Sequence, residues 1–117
     1  SDVENITLVN IYNGPTAASD HNIWVNGKQA YIGNFRAGLR ILDLFDISNG
    51  KLHQSGFFDT VPSDDNTGHS AGAWAVYPYF DSGVVAVTEK PAGLYLLRPN
   101  LTTPRLWFPI IQANQAP

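Results

Sequence analysis

Short runs of strand-forming residues, each broken by glycine, proline, asparagine or aspartate, set the pattern of this chain. HNIWV (21–25) leads through Asn26-Gly27, a strong hairpin signal, into KQAYIGNF (28–35). A basic turn at Arg36-Ala37-Gly38 leads into LRILDLF (39–45), where Leu39, Ile41 and Asp43 alternate with Arg40 and Leu42. Ser48-Asn49-Gly50 then leads into KLHQSGFFDT (51–60). AWAVYPYF (73–80), GVVAVTEK (83–90), GLYLLRP (93–99) and RLWFPII (105–111) follow in the same order. Enrichment in β-branched and aromatic residues predicts strands throughout, and no segment sustains a helical period.

The second set of runs repeats the first. Laying Gly38 over Gly93 places Ala37 on Ala92, Leu39 on Leu94 and Ala30-Tyr31-Ile32 on Val85-Ala86-Val87. Ile23-Trp24-Val25 then falls near Val76-Tyr77-Pro78, with an insertion between the copies lengthening the period. Four antiparallel strands per unit, at about 40 residues apart from the insertion, is the pattern of a β-propeller blade. A further run, ITLVNIY (6–12), fits the outer strand of a preceding blade. The expected fold is therefore all-β, an incomplete β-propeller of about two and a half four-stranded antiparallel blades. Its parts are the end of a blade over 1–19, a blade over 20–60, an inserted loop over 61–72, a blade over 73–111 and a tail over 112–117. A small open β-sandwich is the alternative. Since propellers close with at least four blades, the blade reading requires other protein to complete the ring.

Composition narrows the function. The 117 residues suffice for one domain, and 44% hydrophobic content suffices for a packed core. Ten acidic against seven basic side chains give a net charge of −3, the opposite of a phosphate-binding surface, so nucleic acid is not an expected partner. No apolar run approaches the roughly 20 residues of a membrane span. The Ser-Asp-Val-Glu start reads as a processed or excised piece. Cysteine is absent, which removes disulfides, thiolate metal sites and cysteine nucleophiles. Two sequons, at Asn5 and Asn100, would permit glycosylation of a secreted eukaryotic protein.

The matching phrases DHNIWV (20–25), AYIGNFRAGLRILDL (30–44), GFFDTVPSDD (56–65), GAWAVYPYF (72–80) and GVVAVTEKPAGLYLLRP (83–99) resemble the LVIVD-repeat β-propellers of the choice-of-anchor B family. They cover most of residues 20 to 99 in family order, and the chain is similar to the C-terminal portion of such a protein. The resemblance implies a secreted or cell-surface protein, or a periplasmic one, with no agreed catalytic residues to carry over. His69 and the Thr88-Glu89-Lys90 phrase depart from the family pattern, and segments 1–19 and 100–117 lie outside the resemblance.

In an up-and-down blade the turn between the second and third strands shares an edge with the connection to the next blade. That edge collects Asp20, His21, Arg36, Asp59, the insertion with Asp64, Asp65 and His69, Trp74, and Glu89 with Lys90. The binding face is expected there, at Asp20, His21, Arg36, Asp59 and Trp74. The oxygen-rich run from Asp59 to His69 suits a hard cation such as calcium, with Asp64 and Asp65 as candidate ligands, although any solvated turn has the same composition and no EF-hand pattern is present. His21, His53 and His69 lack paired metal-ligand spacing. His21 beside Asp20 is the best candidate for a general base, against the plainer reading that the two close a strand entrance. No G-x-S-x-G elbow accompanies Ser70. Arg36 and Arg40 are expected to snorkel or to pair with Asp43 or Asp46. Trp24, Trp74 and Trp107, with Tyr77, Tyr79, Phe57 and Phe58, are expected to fill space between blades, Trp74 being the best candidate for sugar stacking.

Three roles follow. The leading one is a non-enzymatic extracellular propeller segment with a structural or protein-recognition role. The second is a metal-dependent ligand-binding or hydrolytic domain built on Asp20, His21, Arg36 and Asp59. The third is an accessory subunit docked through the tail, Pro109 to Pro117.

Overall fold

The computed structural model describes residues 2–64, 67–69 and 71–101. Within them the chain forms two antiparallel sheets and almost no helix. The first sheet is a four-stranded meander of β1 (Asn22–Asn26), β2 (Gln29–Gly33), β3 (Leu39–Asp43) and β4 (His53–Phe58). The second is a three-stranded meander of β5 (Gly72–Tyr77), β6 (Val85–Lys90) and β7 (Gly93–Leu97). A single 3-10 turn, Ile47–Asn49, lies between β3 and β4. Among the described residues the two sheets do not close on one another into a ring. The candidate strand at 105–111, Trp107 and the tail lie outside the described residues.

The repeat seen in the sequence extends to the pairing register. In the first sheet Ala30 faces Leu42, Tyr31 faces Ile41, Ile32 faces Arg40 and Gly33 faces Leu39. Shifted by the step from Gly38 to Gly93, the same pairs recur as Val85 with Leu97, Ala86 with Leu96, Val87 with Tyr95 and Thr88 with Leu94. The outer hairpins also correspond: Ile23 pairs Ile32 as Val76 pairs Val87, and Trp24 pairs Tyr31 as Tyr77 pairs Ala86.

Alternation along a strand sends successive side chains to opposite faces, so each sheet has two. One face of the first sheet, with Tyr31, Leu39 and Ile41, packs against Ala73, Val76, Val85 and Val87 of the second to form the main core. The other face of the first sheet, with Ala30, Ile32 and Leu42, is covered by Tyr12 and Leu44. All five residues of β3 are therefore buried, charged ones included. Burial of Leu39, Ile41 and their neighbours is the main favourable term, at about 1.5–3 kcal/mol for each large side chain.

The sequence expectation fails at three places. Residues 6–12 form no strand: Ile6, Leu8, Val9 and Ile11 are exposed, and among the described residues no strand edge pairs with them. The aromatics fill the space between the sheets only in part: Phe58 meets Tyr95 and Trp74 meets Phe35 across it, yet Trp24, Trp74, Tyr77, Tyr79, Phe57 and Phe58 are each 40% exposed or more. Trp24 lies on an edge strand, its ring 6.1 Å from that of Tyr79, and Tyr77 lies on an outer face. The arginines choose other partners. Arg40 is only 7% exposed and lies with its guanidinium 4.9 Å from the centre of the Phe57 ring. Asp43 instead accepts the Phe45 N–H at 2.7 Å, and Asp46 pairs with Lys51 at 3.2 Å. Burial pushes the Arg40 pKa down, while the Asp59 carboxylate opposes that shift.

Candidate functional site

The two sheets meet at the turn between β2 and β3. Asn34 N–H donates to the Gly38 carbonyl at 2.8 Å, and Ala37 N–H donates back to Asn34 at 2.9 Å, closing a tight loop. Gly38 has φ +77°, and a Cβ there would fall 2.0 Å from the Phe58 carbonyl oxygen, so only glycine fits. The turn forces Phe35 to φ 38°, a conformation rare for a bulky residue. That twist directs the Phe35 carbonyl to the Ala73 N–H at 2.7 Å, the bridge that ties the first sheet to β5. Gly72 completes the fit, because a Cβ there would lie 2.1 Å from the same carbonyl.

Aromatic rings gather around Phe35. Its ring lies 4.7 Å from His21, 5.6 Å from Trp74 and 6.2 Å from His69, and His21 lies 4.4 Å from Trp74. Trp74 is placed by a β-bulge: Ala73 pairs Glu89 and Ala75 pairs Thr88, leaving Trp74 as the extra residue. Thr88 Oγ1 accepts the Ala75 N–H at 3.0 Å and so closes the bulge. The Trp74 carbonyl is 2.7 Å from His21 Nδ1. Because a carbonyl can only accept, Nδ1 carries a proton in this contact. Trp74 remains 45% exposed, beside a cavity of about 300 Å3 that Thr88, Glu89 and Lys90 also line.

Asp20, His21, Arg36, Asp59 and Trp74 lie about the turn between β2 and β3, and the charged groups among them bond to the scaffold. Asp20 accepts from the Asn34 side chain, and Arg36 pairs with Asp64, drawing the insertion over the turn. Asp59 accepts the Val61 N–H at 2.8 Å, which shapes the start of the insertion. His21 N–H donates to the Gly33 carbonyl at 3.0 Å, extending the first hairpin as a strand entrance would. Asp20 and His21 thus hold separate partners rather than one another. Asp64 is engaged by Arg36, and Asp65 lies outside the described residues. Among the described residues no group of three or more His, Cys, Asp or Glu side chains is placed to hold a metal ion. Asn5 and Asn100 are both exposed.

Phe35 and Asn34 are the site residues that sequence reasoning missed. Asn34 is 4% exposed, and its counterpart in the second repeat, Glu89, is 7% exposed and accepts the Ala92 N–H at 2.7 Å. A polar residue four places before glycine in both copies was the available signal, since such a side chain can bond the turn it starts.

No helix among the described residues is long and apolar enough to cross a membrane. Comparison of the chain with models of known protein families, with curated proteins and with solved structures finds no match.

Proposed function

We propose that the chain is a non-enzymatic segment of a β-propeller, extracellular or at a cell surface, whose role is structural or protein recognition. Its partners in this reading are further blades or other chains. The observation that carries it is the in-register repeat combined with unequal burial. Leu39 and Ile41 are each 2% exposed beneath the second sheet, whereas their counterparts Leu94 and Leu96 are 61% and 65% exposed. Tyr77 and Trp74 add apolar surface to that side, and a patch of this kind is characteristic of an interaction site. The resemblance of residues 20–99 to LVIVD-repeat propellers and the two exposed sequon asparagines support the extracellular placement. A recognition role fits the aromatic junction at Phe35, because Asp20, Arg36 and Asp59 are bonded within the scaffold.

Native mass measurement on material from the natural source tests this reading. The expected particle is larger than the 12.8 kDa chain and contains further repeats of this type. The double variant Leu94→Asp, Leu96→Asp should shed them while keeping its strand content, since both positions are exposed. A lone chain in the native material, unchanged by the double variant, would overturn the proposal.

A further inference from the structure

The two outer faces of the stack, one exposed and one covered by the chain's own residues, are complementary. The first sheet offers the face of Tyr31, Leu39 and Ile41 to the second, which receives it with Val85 and Val87. By the shared register, the outer face of the second sheet is the offering face again, with Ala86, Leu94 and Leu96. The far face of the first sheet is the receiving face again, with Ala30 and Ile32 standing where the second sheet has Val85 and Val87. Such a surface pair is heterologous, so the same chain can stack on itself head to tail.

The receiving face is covered in this structure by Tyr12 of the segment before β1 and, at its margin, by Leu44 after β3. The cover is lightly held. Among the described residues no backbone hydrogen bond joins residues 6–19 to the sheet. Side-chain bonds run from Asn10 to the Gly50 carbonyl and from Thr16 to Asn34, the latter at 3.3 Å. A cavity of about 40 Å3 remains under the segment between Tyr12 and Arg40. Upstream of Tyr12, the side chains of Leu8, Val9 and Ile11 are 64% exposed or more, and Val9 meets Gly50 in the loop between β3 and β4 rather than the sheet face.

We infer that the outer face of the second sheet seats the far face of the first sheet of a second copy, with residues 12–18 as a displaceable cover over that receiving face. This rests on the blade reading above and goes beyond it by naming the partner and the order of stacking. The partner's Ile32 row would take the place beside Leu96 that Val87 takes beside Ile41.

The absence of cysteine makes the test direct, because each introduced thiol is unique. Leu96→Cys and Ile32→Cys variants of the full chain are prepared separately, mixed, and treated with a short thiol cross-linker. The expected result is a cross-link between the two variants in the mixture and none within Leu96→Cys alone. Tyr12→Ala, which loosens the cover, should strengthen association measured by sedimentation about tenfold, equivalent to about 1.4 kcal/mol. Linking of Leu96→Cys to itself would mean face-to-face pairing and would overturn head-to-tail stacking while leaving the blade reading intact. A wild-type chain and Tyr12→Ala variant that both stay monomeric at about 1 mM would overturn the second copy as partner. The native particle would then decide whether the blade reading survives.

Discussion

The two sheets share one register and differ in what they bury. Tyr31, Leu39 and Ile41 are shielded by the second sheet, whereas among the described residues Ala86, Leu94 and Leu96 meet no third. The same sequence phrase therefore yields a core in one copy and an exposed face in the other. Pairing register is fixed within a meander by its turns and alternation, but burial depends on a neighbour outside it. The two copies separate these contributions within one molecule, since position and backbone are held nearly constant while packing changes.

The sharpest way to break the comparison is to truncate one equivalent pair. Ile41→Ala should cost about 2–5 kcal/mol, because it removes packed methylenes and leaves a cavity. Leu96→Ala should stay within about 0.5 kcal/mol in the monomer, as exposed substitutions do. Denaturant unfolding of both variants measures the contrast. Equal losses would mean that the outer face of the second sheet is buried in solution.

The turns give the next largest effect. Gly38→Ala drives a Cβ into the Phe58 carbonyl and should cost about 3 kcal/mol in the same unfolding assay. Gly93→Ala has the same left-handed requirement, at φ +110°, but meets nothing within 4 Å, so about 1 kcal/mol is expected. The difference has a simple source: Phe58 belongs to the fourth strand of the first sheet, and among the described residues the second sheet has three. A loss at Gly93 as large as that at Gly38 would show that another strand crowds the second turn.

The hairpins were legible in the sequence because local chemistry determines them. Each described strand begins within two residues of its expected run, and the Ala-Gly phrase marks the same turn twice. Residues 6–12 have equally good strand formers and no ladder, since a strand exists only when a second edge pairs with it. That Asp20, His21, Arg36 and Trp74 lie near one edge was legible through strand order alone. Their bonding was not: the bulge at Trp74 depends on Thr88 across the hairpin, and the Phe35 twist depends on Ala73 in the other sheet. The pairing of Arg36 with Asp64 and the stacking of Arg40 on Phe57 likewise arise only after the sheets have folded.

A smaller effect distinguishes the sheets by titration. Tyr31 is buried against the second sheet, and that burial pushes its pKa up from the usual value of roughly 10, whereas its counterpart Ala86 has nothing to titrate. With the folded value raised, the unfolded chain loses its phenolic proton first as pH rises. The stabilisation from keeping Tyr31 neutral is therefore complete below about pH 10 and is lost as pH climbs through the folded value. Thermal melts between neutral pH and the alkaline range should show a shallow fall that Tyr31→Phe makes shallower still. Ala86→Tyr supplies the matching control, since a phenol on the exposed outer face should titrate near its ordinary value and leave the alkaline slope unchanged. A steeper slope in Ala86→Tyr would place that face out of water, and it would do so at protein concentrations where head-to-tail stacking occupies it.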